Sequence, residues 1–215
     1  MKFFAFILLC STLLCANTPA AKITSLTGEA RIFTKGEIAP KNAALNGTLK
    51  VKQTLKTRLN SEAGITFKDS TKVLVGPNSS LEVLDIKKLS VEGEKVLFKI
   101  TKQSDLKGLV ITTPTAIIGV KGTMFMINSD GKNQTIYLKE GEIEVKSPQG
   151  LFKNYLTSIE DEFNAYKADM EKEFAVYVEE FTMKGMTAIS ISGNEVHAKP
   201  YTKEIDAEFE AFKRF

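Results

Sequence analysis

The sequence predicts a mainly β protein: a sandwich or roll of short, mostly antiparallel strands, followed by a long amphipathic helix, a small hairpin and a short helix. Three observations carry this expectation. From Ile23 to Val145, apolar and polar residues alternate in short segments, the period of a half-buried strand. Clusters of Gly, Asn, Asp, Ser and Pro separate these segments. After Gly150 the apolar period becomes that of a helix.

The N-terminus comes first. Lys2 precedes an uncharged apolar run, Phe3 to Ala16, and small residues follow in "ANTPAAK". This is the layout of a secretory signal peptide. The run is shorter than the ~20 residues a spanning helix needs. Residues 1–21 are therefore expected to be a leader cleaved after Ala16, Ala20 or Ala21, with Ala20 or Ala21 preferred. The mature chain is expected to be periplasmic, with no transmembrane span. Cys10 and Cys15 follow Leu9 and Leu14 rather than small residues, which argues against lipid anchoring. Both lie in the leader, so its removal excludes disulfides, thiol catalysis and cysteine-ligated metals from the mature chain. The remaining chain is long enough for one ordinary core.

The β part, residues 22–149, is read strand by strand as "ARIF", "GITF", "KVLV", "LEVLDI", "VLFKI", "LVIT", "MFMI", "TIYL" and "EIEV". The turns between them include "KDST", "GPNSS", "EGE" and "KEGE". "NSDGKN" predicts a hairpin, with Asp130-Gly131 supplying the positive φ angles of a tight turn.

Residues 150–215 form the predicted acidic helical appendage. Tyr155, Ile159, Phe163, Tyr166, Met170, Phe174, Tyr177 and Phe181 are spaced 4, 4, 3, 4, 4, 3 and 4. That eleven-residue repeat keeps one stripe nearly straight along a helix, expected over about 151–183. "TAISISGNEVHAK" predicts a hairpin over about 187–198, and a second helix is expected over about 203–215. "IEDEFNAYK" (159–167) recurs there as "IDAEFEAFK" (205–213), placing Ile205, Phe209 and Phe212 on a similar stripe. The two stripes either pack on each other or serve intermolecular assembly.

Charge follows the same division. Residues 22–153 carry 21 Lys+Arg against 13 Asp+Glu, and residues 154–215 carry 7 against 13. Either each part is simply solvated, or the acidic part lies on the basic one, in cis or in a dimer. The basic residues are dispersed, so no nucleic-acid footprint is expected.

"TTPTAIIGVKGTMF" (112–125) invites a phosphate-cradle reading through Lys121, but the order fails it. A P-loop has four residues between its first glycine and Gly-Lys-Ser/Thr; here only two separate Gly119 from Gly122, and Lys121 precedes the second glycine. No helix follows to hold a phosphate, so no nucleotide partner is expected. Pro114 keeps Thr113 extended, and the two glycines read as a bulge or close backbone approach.

The same stretch, with "TIYLKEGEIEV" after it, closely resembles the periplasmic FecR domain. Thr113, Pro114, Ala116, Gly119, Val120, Lys121, Gly122, Thr123, Phe125, Glu140 and Gly141 meet that family's pattern. "GEARIF" resembles its opening strand, and the resemblance spans about Ile23 to Lys146. Two turns depart from it: "KQTLKT" stands where the family often has Gly-Asp, and Asp69-Ser70-Thr71 replaces Asp-Gly-Ser. Family regulators join a cytoplasmic sigma-factor-binding segment and a membrane helix to this domain. Neither is expected here, so the resemblance implies a stand-alone exported form.

No enzymatic constellation emerges. His197 is the only histidine and sits in a predicted hairpin. Glu140 and Glu142 read as a turn entering a strand rather than an acid–base pair. No catalytic, cofactor-binding or metal residue is assigned. The expected function is protein–protein interaction or assembly in the bacterial cell envelope, with another envelope protein or a second copy through the stripe. The alternatives are binding of cell-wall glycan through Tyr137, Tyr155, Tyr166, Tyr177 and Tyr201, and an accessory role in FecR-type signal transduction.

Overall fold

A computed structural model describes residues 18–101, 108–155 and 176–214. Within these described residues, two large sheets of eleven and nine strands face each other. The larger has eleven strands in the order β17 (Val176–Val178), β16 (Phe152–Asn154), β20 (Glu195–Lys199), β19 (Thr187–Ser192), β14 (Asn133–Glu140), β13 (Met124–Ser129), β10 (Lys95–Lys99), β7 (Lys72–Val75), β6 (Glu62–Phe67), β1 (Pro19–Thr27) and β4 (Thr48–Lys50). The smaller has nine, in the order β18 (Glu180–Lys184), β15 (Glu142–Lys146), β12 (Ile117–Val120), β11 (Leu109–Thr112), β9 (Lys88–Gly93), β8 (Ser79–Asp85), β5 (Gln53–Thr57), β2 (Ala30–Thr34) and β3 (Lys41–Asn42). Among the described residues, pairing is antiparallel except between β9 and β11 and between β16 and β20.

The alternation read from sequence is the alternation of burial. In β14, Gln134, Ile136 and Leu138 point inward, while Thr135 and Tyr137 face out. Between the sheets, fully buried Phe98 stacks on Phe125, centroids 4.8 Å apart and planes 9° from parallel. The Asp130–Asn133 hairpin forms as expected, but only its glycine is left-handed, at φ 88°. Asp130 instead accepts hydrogen bonds from the backbone amides of Lys132 and Asn133 and from the Asn133 side chain. Those donors hold its carboxyl at about 2.

The C-terminal third differs from expectation. The hairpin forms as β19 and β20. A short helix, α1 (Lys203–Glu208), continues as a 3₁₀ turn over Phe209–Arg214. The long helix expected over 151–183 is strand at both ends: β16 opens it, and β17 and β18 close it. Residues 156–175, which carry Ile159, Phe163, Tyr166, Met170 and Phe174, lie outside the described residues. The physical reason for the difference is long-range pairing. β18 hydrogen-bonds along β15, and β16 beside β20, so both edges gain ladders that an isolated helix would forgo. Phe181 leaves the helical stripe and meets the ring of Phe152 edge-on, 5.6 Å away. Position 150 therefore does not separate two sets of strands, since β19 pairs with β14 and β18 with β15.

The leader expected over 1–21 also runs into a strand. Ala20 and Ala21 are buried in β1, and Ala21 pairs with both Leu49 and Phe67.

Candidate functional site

The glycine stretch builds a corner. β12 lies in the smaller sheet and β13 in the larger, so the chain changes sheets between them, turning at Gly122 with φ 64°. It crosses back between β14 and β15 at Gly141, φ 89°. The two corners lie against each other: a Cβ on Gly141 would stand 2.7 Å from the Gly122 carbonyl oxygen and 2.8 Å from Thr123 Cγ2. Thr123 is buried beneath them. Upstream, the Thr113 hydroxyl accepts from the amides of Thr115 and Ala116 and donates to the Ala116 carbonyl, closing the turn that begins at exposed Pro114. Gly119 is different. It sits within the regular β11–β12–β15 pairing, and a Cβ there meets only ordinary contacts with Glu144. The bulge lies further on, between Met124 and Phe125. Exposed Lys121 lines a shallow depression with Glu142 and Glu144, a poor setting for a phosphate.

The strongest recognition geometry is on the outer face of the larger sheet. Leu74, Leu97 and Met126 project outward from β7, β10 and β13, away from the main core. They are covered by Phe209, Ala211 and Phe212 of the C-terminal tail, with Met124, Tyr137, Tyr201 and Ile205 at the margin. Phe209 and Phe212 are 3% and 6% exposed. Burial of this degree stabilises by roughly 2–3 kcal/mol per side chain. Two ion pairs flank the apolar contact, Lys95 with Glu208 and Lys139 with Asp206. Exposed pairs add little energy but fix the register of the tail. Lys139 lowers the Asp206 carboxyl below the usual range. Burial, then the neighbouring Asp206 carboxylate, pushes the Tyr201 phenol up.

The charge division seen in the sequence thus has a local expression: acidic tail on basic strands, in cis. Sequence reasoning marked Ile205, Phe209 and Phe212 as one stripe but missed Lys95, Lys139, Leu74, Leu97 and Met126. The outward apolar positions of β10 and β13 were the available signal. Consecutive buried residues in "KVLFK" and "MFMI" mean that both faces of those strands are covered.

The remaining candidates are dispersed. Tyr177 is exposed on β17. Tyr155 stacks on His197, centroids 4.6 Å apart and planes 5° from parallel, so both rings are packed at the sheet surface. Glu140 and Glu142 are exposed on either side of the Gly141 corner. A cavity of about 690 Å³ opens at one end of the sandwich, with Glu92, Glu94 and Asp130 among its lining residues, and it contains no nucleophile–base pair. Among the described residues, no group of three or more His, Cys, Asp or Glu is placed to hold a metal, and no helix is long and apolar enough to cross a membrane.

The family model described as FecR protein matches residues 53–144. No curated protein matches the chain. Two crystal structures of a "putative anti-sigma factor" from Parabacteroides distasonis, at 1.65 and 2.50 Å, share the fold, with TM-scores of 0.53 and 0.51 and 12% identity in each case. The matches cover 73% and 70% of this chain but 64% and 61% of those chains, so the chain spans less than two thirds of the length of the solved proteins it resembles.

Proposed function

We propose that the chain, whose residues 53–144 match the family model described as FecR protein, is a non-catalytic, exported interaction module of the bacterial cell envelope. The observation that carries this reading is the outer face of the larger sheet. It recognises a peptide-like segment through an apolar row flanked by two lysines, and in this chain that segment is its own tail. Such a face, an amphipathic helix docked on an apolar strip, is a recurring mode of peptide recognition. The leader-like N-terminus supports export. The likeness in fold to a protein named as an anti-sigma factor favours a role linked to signal transduction, as a partner of other envelope proteins.

The test is photo-crosslinking in intact cells, with the photoreactive residue at Thr135 on the outer face of β14 and, for comparison, at Arg31 on β2. A discrete envelope-protein adduct from Thr135 alone supports the proposal. Retention on purified peptidoglycan with no protein adduct would replace it by the glycan reading.

A further inference from the structure

We propose that the tail-binding face of the larger sheet recognises a segment that this chain carries twice, and that its second ligand is residues 159–167 of another copy of the chain. This deepens the interaction-module reading, on which it rests, by naming a partner.

The docked copy, "IDAEFEAFK" at 205–213, shows which positions the site reads. Phe209, Ala211 and Phe212 are buried, Ile205 is half-buried, and Asp206 and Glu208 pair with Lys139 and Lys95. Ala207 and Glu210 face solvent. In "IEDEFNAYK" every position that is read keeps its chemistry: Ile159, Glu160, Glu162, Phe163, Ala165 and Tyr166 stand where the docked copy has Ile, Asp, Glu, Phe, Ala and Phe. The chemistry changes only at Asp161 and Asn164, which correspond to solvent-facing Ala207 and Glu210. A helix conserving only an apolar stripe would keep the Ile and the aromatics. It would have no reason to keep two carboxylates at the spacing that meets Lys139 and Lys95, or a small residue at the buried Ala211 position.

Charge complementarity points to a second copy as the source. Residues 22–153 carry 21 Lys+Arg against 13 Asp+Glu and residues 154–215 carry 7 against 13, so the acidic part of one copy is drawn to the basic part of another.

The experiment uses the chain ended after Pro200, which leaves both sheets whole, and two labelled peptides, residues 203–215 and 157–169. Both should bind the shortened chain, with dissociation constants within about tenfold of each other. The intact chain should bind both far more weakly, because its tethered tail competes at an effective concentration of the order of millimolar. Phe163→Ala with Tyr166→Ala in the second peptide should abolish its binding. At high concentration the shortened chain should associate in light scattering, and the same two substitutions should make it monomeric. If the shortened chain fails to fold, the full chain with Phe209→Ala and Phe212→Ala takes its place. Binding of 203–215 without 157–169 overturns the proposal, as does binding of neither. Binding of both by a chain that stays monomeric overturns the assignment to a second copy. None of these failures depends on the crosslinking result, so the interaction-module reading is tested separately.

Discussion

Lys139 Nζ lies 3.0 Å from Asp206 Oδ1 and 5.6 Å from the centre of the Phe209 ring, so one ammonium group on β14 holds both the charged and the aromatic side of the tail. It joins a strand within the stretch that the FecR family model matches to the last secondary structure among the described residues. A cation over an aromatic face is favourable in its own right.

This pair makes tail docking sensitive to pH. The Asp206 carboxyl is depressed in the folded chain, first by its hydrogen bond to Lys139. A depressed carboxyl contributes stability above its unfolded value, about 3.9, and loses it as pH falls through the lower folded value. The protection factors of residues 203–214, measured against the intrinsic exchange rate at each pH, should therefore be constant from neutrality to about pH 5 and fall below about pH 4. With Lys139→Ala that acid step should shrink.

The two corners predict a contrast between glycines. Gly141 and Gly131 have nearly the same φ, 89° and 88°, but a Cβ at Gly141 would strike the Gly122 carbonyl, while at Gly131 it meets open space. Gly131→Ala should cost about 1 kcal/mol, the conformational term alone. Gly141→Ala adds a backbone collision and should cost about 3 kcal/mol or more. Gly122→Ala, left-handed and buried, should also lower stability. Urea unfolding of the three variants orders these costs, and equal midpoints for Gly141→Ala and Gly131→Ala would refute the interlocked corners.

Where the chain departs from the family's turns, it holds non-glycine residues in the left-handed region. Lys52 and Ser70 both have φ 66°. Lys52→Gly and Ser70→Gly should each stabilise by up to about 1 kcal/mol, read as a higher melting temperature. Ser70 keeps its turn because Asp69 accepts from both the amide and the hydroxyl of Thr71.

The buried start of β1 bears on processing. Cleavage after Ala20 or Ala21 would remove residues that pair with β4 and β6, whereas cleavage after Ala16 leaves the strand whole. With a leader removed as proposed, the protein should begin at Asn17 when its N-terminus is sequenced.

The β part was legible because its constraint is local. Ile136 and Leu138 alternate with Thr135 and Tyr137, and Gly122 and Gly141 mark reversals that few other residues tolerate. The strands at 152–154 and 176–184 were not, because their decisive contacts are distant in sequence. Tyr155 and Phe181 fit a helical stripe equally well on paper, yet one stacks on His197 and the other meets Phe152. The charge division announced an acidic segment on basic strands. Only the register of β10 and β14 shows which lysines receive it.

The central claim is that the outer face of the larger sheet reads the tail by charge as well as by apolar contact. Charge reversal tests it most directly. Lys95→Glu with Lys139→Glu should release the tail, seen as fast hydrogen exchange over residues 203–214 while the core strands keep their protection. Adding Asp206→Lys with Glu208→Lys should restore slow exchange. A tail that stays protected in the first variant, or is not rescued in the second, would contradict the account.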